Sequence, residues 1–192
     1  MARWIFEPGH SAAAFSVRHM MVSQMRGLFK NVRGHVDFDP DNPAGPAAVE
    51  AEFDAAAIWT GDTDRDAHLR GAEFLDAEHH PRVSFKSREV RHLGGDDYLV
   101  AGELTLRGVT RPVELKARYL GTWQCPYWTG ERDLGPVGRV GFTATTTINR
   151  HDYGVSWNAP MDRGGVVVGD LVEITLDVEA ILAVDMERVE AA

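Results

Sequence analysis

The chain has 192 residues, a single cysteine, and 29 Asp plus Glu against 20 Lys plus Arg. That length fits one domain over residues 1–192, and the acidic balance argues against a partner such as nucleic acid or an anionic membrane surface, where affinity comes from counterion release. Cys125 alone makes neither an internal disulfide nor a thiolate metal cluster.

In chain order, "MARWIFEPGHSAAAF" is interrupted by Glu7, Pro8 and His10 before a signal-peptide core could form, so the expected compartment is the cytoplasm. No stretch reaches the roughly 18 apolar residues of an integral membrane segment. Strands are expected over residues 11–18 and 27–38, then a break at "DPDNPAGP" (39–46). In "VEAEFDAAAI" Val49, Ala51 and Phe53 alternate with Glu50, Glu52 and Asp54, the period of a half-buried strand. Residues 60–81 depart from that period. Thr60 and Asp62 are competent N-caps, acids cluster early, and Gly71 and Pro81 are stops, which predicts one or two short helices at residues 60–80 with Leu69, Phe74 and Leu75 on the buried face.

Further strands are expected over 82–91, 97–106, 112–120 and 139–149, separated by "HLGGDD" (92–97), "RGVTRP" (107–112) and the loop "CPYWTGERDLGPVG" (125–138). The last, "DLVEITLDVEAIL", sets Val172, Ile174, Leu176 and Val178 against Glu173, Thr175, Asp177 and Glu179. Residues 183–192 read as a frayed or weakly helical tail. The fold class is therefore all-β, an antiparallel barrel or sandwich of about eight strands. Several inward positions are small: Ala47, Ala51, Ala55, Ala57, Gly102, Ala117 and Ala144. Such a wall either leaves space inside or is filled by large residues from the facing strands, and periodicity admits both.

Three stretches in order resemble the YceI-like, polyisoprenoid-binding family: "TGDTDRDAHLRGAEFLDAEHHP" (60–81), "GELTLRGVTRPVEL" (102–115), and "GRVGFTATTTINRHDYGVSWN" (138–158) followed by "VVVGDLVEITLDVEA" (166–180). The opening "HSAAAFSVRHMMVSQMRGLFKNVRG" fits too, while residues 125–138 lack the Asp-Pro-Trp-Gly segment of many members. The resemblance implies a lipocalin-like β-barrel whose apolar interior holds a long-chain isoprenoid, a polyprenyl or isoprenoid quinone, or a similar lipid. It implies no established chemistry, and it implies a possible homodimer.

On that basis the residues expected along a lipid chain are Phe15, Val17, Leu28, Phe53, Phe74, Phe85, Leu104, Leu106, Phe142, Ile174 and Leu176, each equally at home in a filled core. Trp59, Trp123 and Trp157 are candidates to gate an end. Arg65, Asp66, His68 and Arg150 are candidates for a polar collar that reads a head group, or for an architectural network of ion pairs and strand-end caps. Arg150 and Asp152 are placed to pair across the bend that Gly154 permits. His10, Arg18 and His19 are polar residues on an apolar first strand, divided between ligand contact and support.

No metal and no cofactor are expected. Asp62, Asp64 and Asp66 alternate as at the start of a calcium loop, but Ala67 stands where the turn glycine belongs. His79 and His80 are adjacent and would diverge if extended. The function expected is non-enzymatic lipid binding, storage or transport. The alternative is a lipid-acting hydrolase or other enzyme using Asp66 and His68, although no Gly-x-Ser-x-Gly, phosphate loop or zinc signature accompanies them.

Overall fold

The computed structural model describes residues 1–191. The strands are β1 (Ala2–Phe6), β2 (Ala12–His19), β3 (Ser23–Lys30), β4 (Arg33–Phe38), β5 (Ala48–Asp54), β6 (Ile58–Trp59), β7 (Arg82–Gly94), β8 (Asp97–Leu106), β9 (Val109–Thr129), β10 (Arg132–Asn149) and β11 (Val168–Leu182). Helix α1 (Thr63–Arg70) follows β6, and α2 (Ala183–Glu190) follows β11.

All pairings are antiparallel. The order β1-β4-β5-β7-β8-β9-β10-β11 returns to β1 through Trp4↔Leu182, which closes a barrel of eight strands. β11 is long enough to pair with β1 at its end and with β2 further back, at Ile174↔Phe15. β1 and β2 are thus successive halves of one stave, and β3 and β4 of the next, with Asn31 at positive φ in the break between them. The single strand expected over 27–38 is divided for that reason, and β1 lies ahead of the first strand expected.

The bend needed for closure is concentrated in register shifts, including one between Gly141 and Phe142 on β10, where Leu120 of β9 is the extra residue. The stretch 125–138, expected as a loop, is instead the continuation of the β9–β10 ribbon with only Gly130 and Glu131 at its tip. Pro126 and Pro136 oppose each other there. Beyond Arg118 and Arg139 the ribbon has no third strand among the described residues, the edge setting in which proline is tolerated.

At one end of the barrel Trp4, Phe6, Phe38, Tyr98, Val140 and Ala180 form the largest buried cluster. Beside it α2 packs Val189 on Val137 and Ile181, and Asp185 accepts a 2.8 Å hydrogen bond from the Gly138 N–H. The expected tail is therefore a docked helix. At the other end α1 and the turns after it cover the opening. Asp62 caps α1 by accepting from the Arg65 N–H at 2.9 Å, and the helix stops at Gly71 rather than running on toward Pro81.

Candidate functional site: the barrel interior

Between the two ends lies a cavity of about 260 Å³. Strand alternation builds its wall: β11 contributes Val172, Ile174, Leu176 and Val178, β9 contributes Val113, Leu115 and Ala117, and β5 contributes Val49, Ala51 and Phe53. Glu173, Thr175 and Asp177 stand on the outer face, as a period of two requires. Ile174 and Leu176 nevertheless remain only half-buried, because the surface they expose borders the void. An apolar cavity of roughly 150 Å³ already stays dry and binds benzene, and this one is larger and as apolar in its lining.

Small side chains leave the space. Ala117 and Ala144 face each other on β9 and β10, Ala47 and Ala51 line the wall as expected, and Ala13, not among the expected residues, joins them. Ala55 and Ala57 belong to a short 3₁₀ turn outside the wall, and Gly102 is buried with the Phe85 ring where its Cβ would be. Phe29 stacks with Phe53 at 4.7 Å between ring centroids and with Phe15 at 5.8 Å, while Phe142 meets Phe38 edge-on at 5.3 Å.

Of the residues expected along a lipid chain, Phe15, Val17, Phe53, Phe74, Phe85, Leu104, Leu106, Phe142, Ile174 and Leu176 line the cavity, and so does Arg150. Leu28 does not. β2 and β3 pair at Phe15↔Gly27 and Ala13↔Phe29, which turns Phe29 inward and leaves Leu28 beside Trp59 on the other face. A shift of one residue exchanges faces. Trp59 is exposed beneath the Lys30 ammonium, and Trp123 is exposed on the outer ribbon, so neither closes an end. Trp157 packs on Phe74 and His68 outside the cavity wall. His19 ends β2 opposite Val168 and Ser23 and is not among the residues that line the cavity.

The polar collar is not assembled at the mouth. Asp66 is buried and accepts from both the Thr60 N–H (2.9 Å) and its hydroxyl (2.6 Å), while Arg65 donates to the Thr60 hydroxyl (2.7 Å) and carbonyl (3.0 Å). Together they fix the chain's entry into α1. His68 meets Glu73 at 2.8 Å on the surface and makes no hydrogen bond with Asp66. His79 and His80 sit in a turn, not in extended chain, and both lean toward Asp76, at 2.8 and 3.9 Å. The hydrogen bond holds the Asp76 carboxyl below its ordinary range and raises the His79 imidazole.

Among the described residues Arg150 is the one charged side chain on the wall, and it is only 4% exposed. It does not pair with Asp152. Its Nε donates to the Gly169 carbonyl (2.8 Å), one terminal nitrogen to those of Val155 (2.7 Å) and Trp157 (2.9 Å), and the other to Val168 (3.2 Å). Burial pulls its pKa below the ordinary arginine value, with the Asp170 charge opposing. Four carbonyls thus replace a counter-ion, and Arg150 pins residues 155–169 over the α1 end. Gly154, at φ 73°, takes the left-handed conformation that turns the chain back for this clamp.

Sequence reasoning did not select Phe6, Phe29, Phe38, Tyr98 or Val155, all of which line the cavity. The alternation of Trp4 and Phe6 with Arg3 was the available signal for β1. Among the described residues, Glu7, His10 and Glu179 have the spacing of metal ligands. The Arg139 guanidinium already donates to both carboxylates and meets their charge. Arg18 donates to the Met21 carbonyl at 2.7 Å. No helix among the described residues is long and apolar enough to cross a membrane.

Comparison with known proteins agrees with this architecture. The "UPF0312 protein" of Pectobacterium atrosepticum (strain SCRI 1043) is 34% identical over 182 residues, covering 95% of this chain and 83% of that protein. A protein of the same name from Pseudomonas putida (strain W619) is 34% identical over 149 residues, covering 78% and 73%. Two solved structures share the fold: BcnA of Burkholderia cenocepacia, with a TM-score of 0.73, 23% identity and coverage of 91% of this chain and 99% of that one, and a polyisoprenoid binding domain from Saccharophagus degradans, with a TM-score of 0.63, 14% identity and coverage of 95% and 99%. A family model described as the YceI-like domain matches residues 4–180, and the chain belongs to that family.

Proposed function

We propose that the barrel binds a long-chain isoprenoid, a polyprenyl or isoprenoid quinone, or a similar lipid in its interior and carries or stores it without transforming it. The observation that carries this reading is the apolar cavity of about 260 Å³ inside a closed barrel. Each methylene taken from water into such a wall contributes about 0.8 kcal/mol, so a long hydrocarbon supplies affinity without charge. The Saccharophagus degradans domain, described as polyisoprenoid-binding, supports the ligand class.

Hydrolysis through Asp66 and His68 is the less favoured reading. Asp66 is engaged by Thr60 and His68 by Glu73, so the dyad that would make an imidazole a general base is not formed.

Organic extraction of gently purified protein, with mass spectrometry and an ultraviolet scan for quinone absorbance, tests the proposal against a denatured sample. A stoichiometric long-chain species is expected. Absence of any apolar species, together with no rise in melting temperature when isoprenoid is added, would overturn it, because tight binding to the native state must raise that temperature.

A further inference from the structure

The β9–β10 ladder ends at Thr145↔Lys116. Both strands continue: β9 reaches back to Val109 on β8, and β10 runs on to Asn149 on β11. Over these residues the barrel wall is split, and side chains close it. Tyr153, from the 3₁₀ turn Arg150–Tyr153, belongs to one buried cluster with Ile148, Phe74 and Val155, against which Val109 and Val113 of β9 pack.

Outside the split lies a cleft of about 530 Å³ bordered by Arg88, Arg111, Glu114, Asp152 and Tyr153. Val113, Thr146 and Ile148 line both this cleft and the apolar cavity, so one layer of side chains divides them. Parting that layer breaks no ladder hydrogen bond. The Tyr153 side chain is 2% exposed, and among the described residues its hydroxyl has no hydrogen-bond partner. Buried polar groups are rarely left so, since desolvation without a partner is costly.

We propose that this split is the head-group site of the lipid, where the Tyr153 hydroxyl donates to an oxygen of a neutral head such as a quinone carbonyl while the chain lies in the barrel. The inference rests on the lipid-carrier reading. The charges of the cleft favour a neutral acceptor over a phosphate: Glu114 and Asp152 balance Arg88 and Arg111, and Arg88 is already paired with Glu103 at 2.7 Å. Burial, with the Asp152 charge added and Arg111 opposing, pushes the Tyr153 pKa up, so the hydroxyl keeps its proton and remains a donor.

The test is Tyr153→Phe in lipid-stripped protein, titrated with an isoprenoid quinone, a polyprenyl phosphate and an isoprenoid hydrocarbon of equal chain length. The variant keeps the ring that closes the split, so its unfolding midpoint is expected to hold or rise. Quinone affinity is expected to fall by up to about tenfold, the worth of one neutral hydrogen bond, with hydrocarbon affinity unchanged. Unchanged quinone affinity, or equal loss for quinone and hydrocarbon, overturns the site. Loss confined to the phosphate overturns the neutral head. Wild-type protein that binds none of the three overturns the carrier reading itself, a pattern distinct from the others.

Discussion

Filling the cavity separates an open barrel from a solid one. Ala144 lies on the wall, paired with Ala117 on β9 and Leu176 on β11. In Ala144→Leu three carbons enter the void. At ~0.8 kcal/mol per buried methylene, the lipid-stripped variant gains about 2 kcal/mol, or roughly 4–8 °C in melting temperature for a chain of this size. In a filled core the same change would overpack and cost about 1–3 kcal/mol. The two cases therefore differ in sign. With isoprenoid quinone at about 100 times its dissociation constant the wild type gains about 2.7 kcal/mol, while the variant, its cavity occupied, gains less, so the two melting temperatures converge or change order. Thermal melts of both proteins with and without the quinone measure this directly. A stripped Ala144→Leu protein that melts below wild type would refute the open cavity.

Three further outcomes follow from the packing. Arg150→Met removes four hydrogen bonds to carbonyls, of which that of Val168 keeps the Asn158 amide as a second donor, and we expect a loss of about 3 kcal/mol or more in denaturant unfolding; a loss below about 1 kcal/mol would mean that residues 155–169 are held by something else. Arg3 grips both Asp37 oxygens at 2.8 Å and joins β1 to β4, and this hydrogen bonding lowers the Asp37 pKa against the opposing effect of burial. A depressed carboxyl contributes stability above its unfolded pKa of about 3.8 that disappears as pH falls through the folded value; Asp37→Asn should flatten the decline in stability from about pH 4 downward, and an unchanged slope in acid unfolding curves would contradict this. Val189→Asp should cost roughly 2 kcal/mol and open the C-terminal residues to proteolysis, since Val189 seals Val137 and Ile181; a frayed tail would show neither effect.

Most of the barrel is legible in the sequence because a strand with one face in water writes its burial as a period of two. Residues 49–53 of β5, 113–117 of β9 and 172–178 of β11 carry that period, and their inward residues are among those that line the cavity. Legibility fails where local chemistry imitates something else. Gly130, Pro126 and Pro136 look like a loop, yet prolines on a two-stranded ribbon interrupt no third strand. Helix α2 has eight residues, too few to establish a 3.6-residue period, and only the docked position of Val189 reveals its function. Leu28 and Phe29 are both large and apolar, so composition does not choose between them. The β2–β3 register does.

The polar residues fail for a different reason, because a charge in a sequence is naturally read toward its nearest opposite. Arg150 and Asp152 are two apart, but in a 3₁₀ turn of three residues per turn such positions point apart, and Asp152 goes to the outer cleft while Arg150 goes to the wall. What holds Arg150 is a set of carbonyls from residues 155–169, which no side-chain pattern announces. The same geometry bears on selectivity. Arg65, Asp66 and Arg150 give most of their hydrogen bonds to the fold, so the charged residues nearest the barrel are poorly placed to read a ligand. The Tyr153 hydroxyl is buried at the split and has no hydrogen-bond partner among the described residues. A barrel whose affinity comes from methylenes needs only one such directed donor to orient a chain that could otherwise enter either end first, since a single hydrogen bond of about 1 kcal/mol already biases two orientations severalfold.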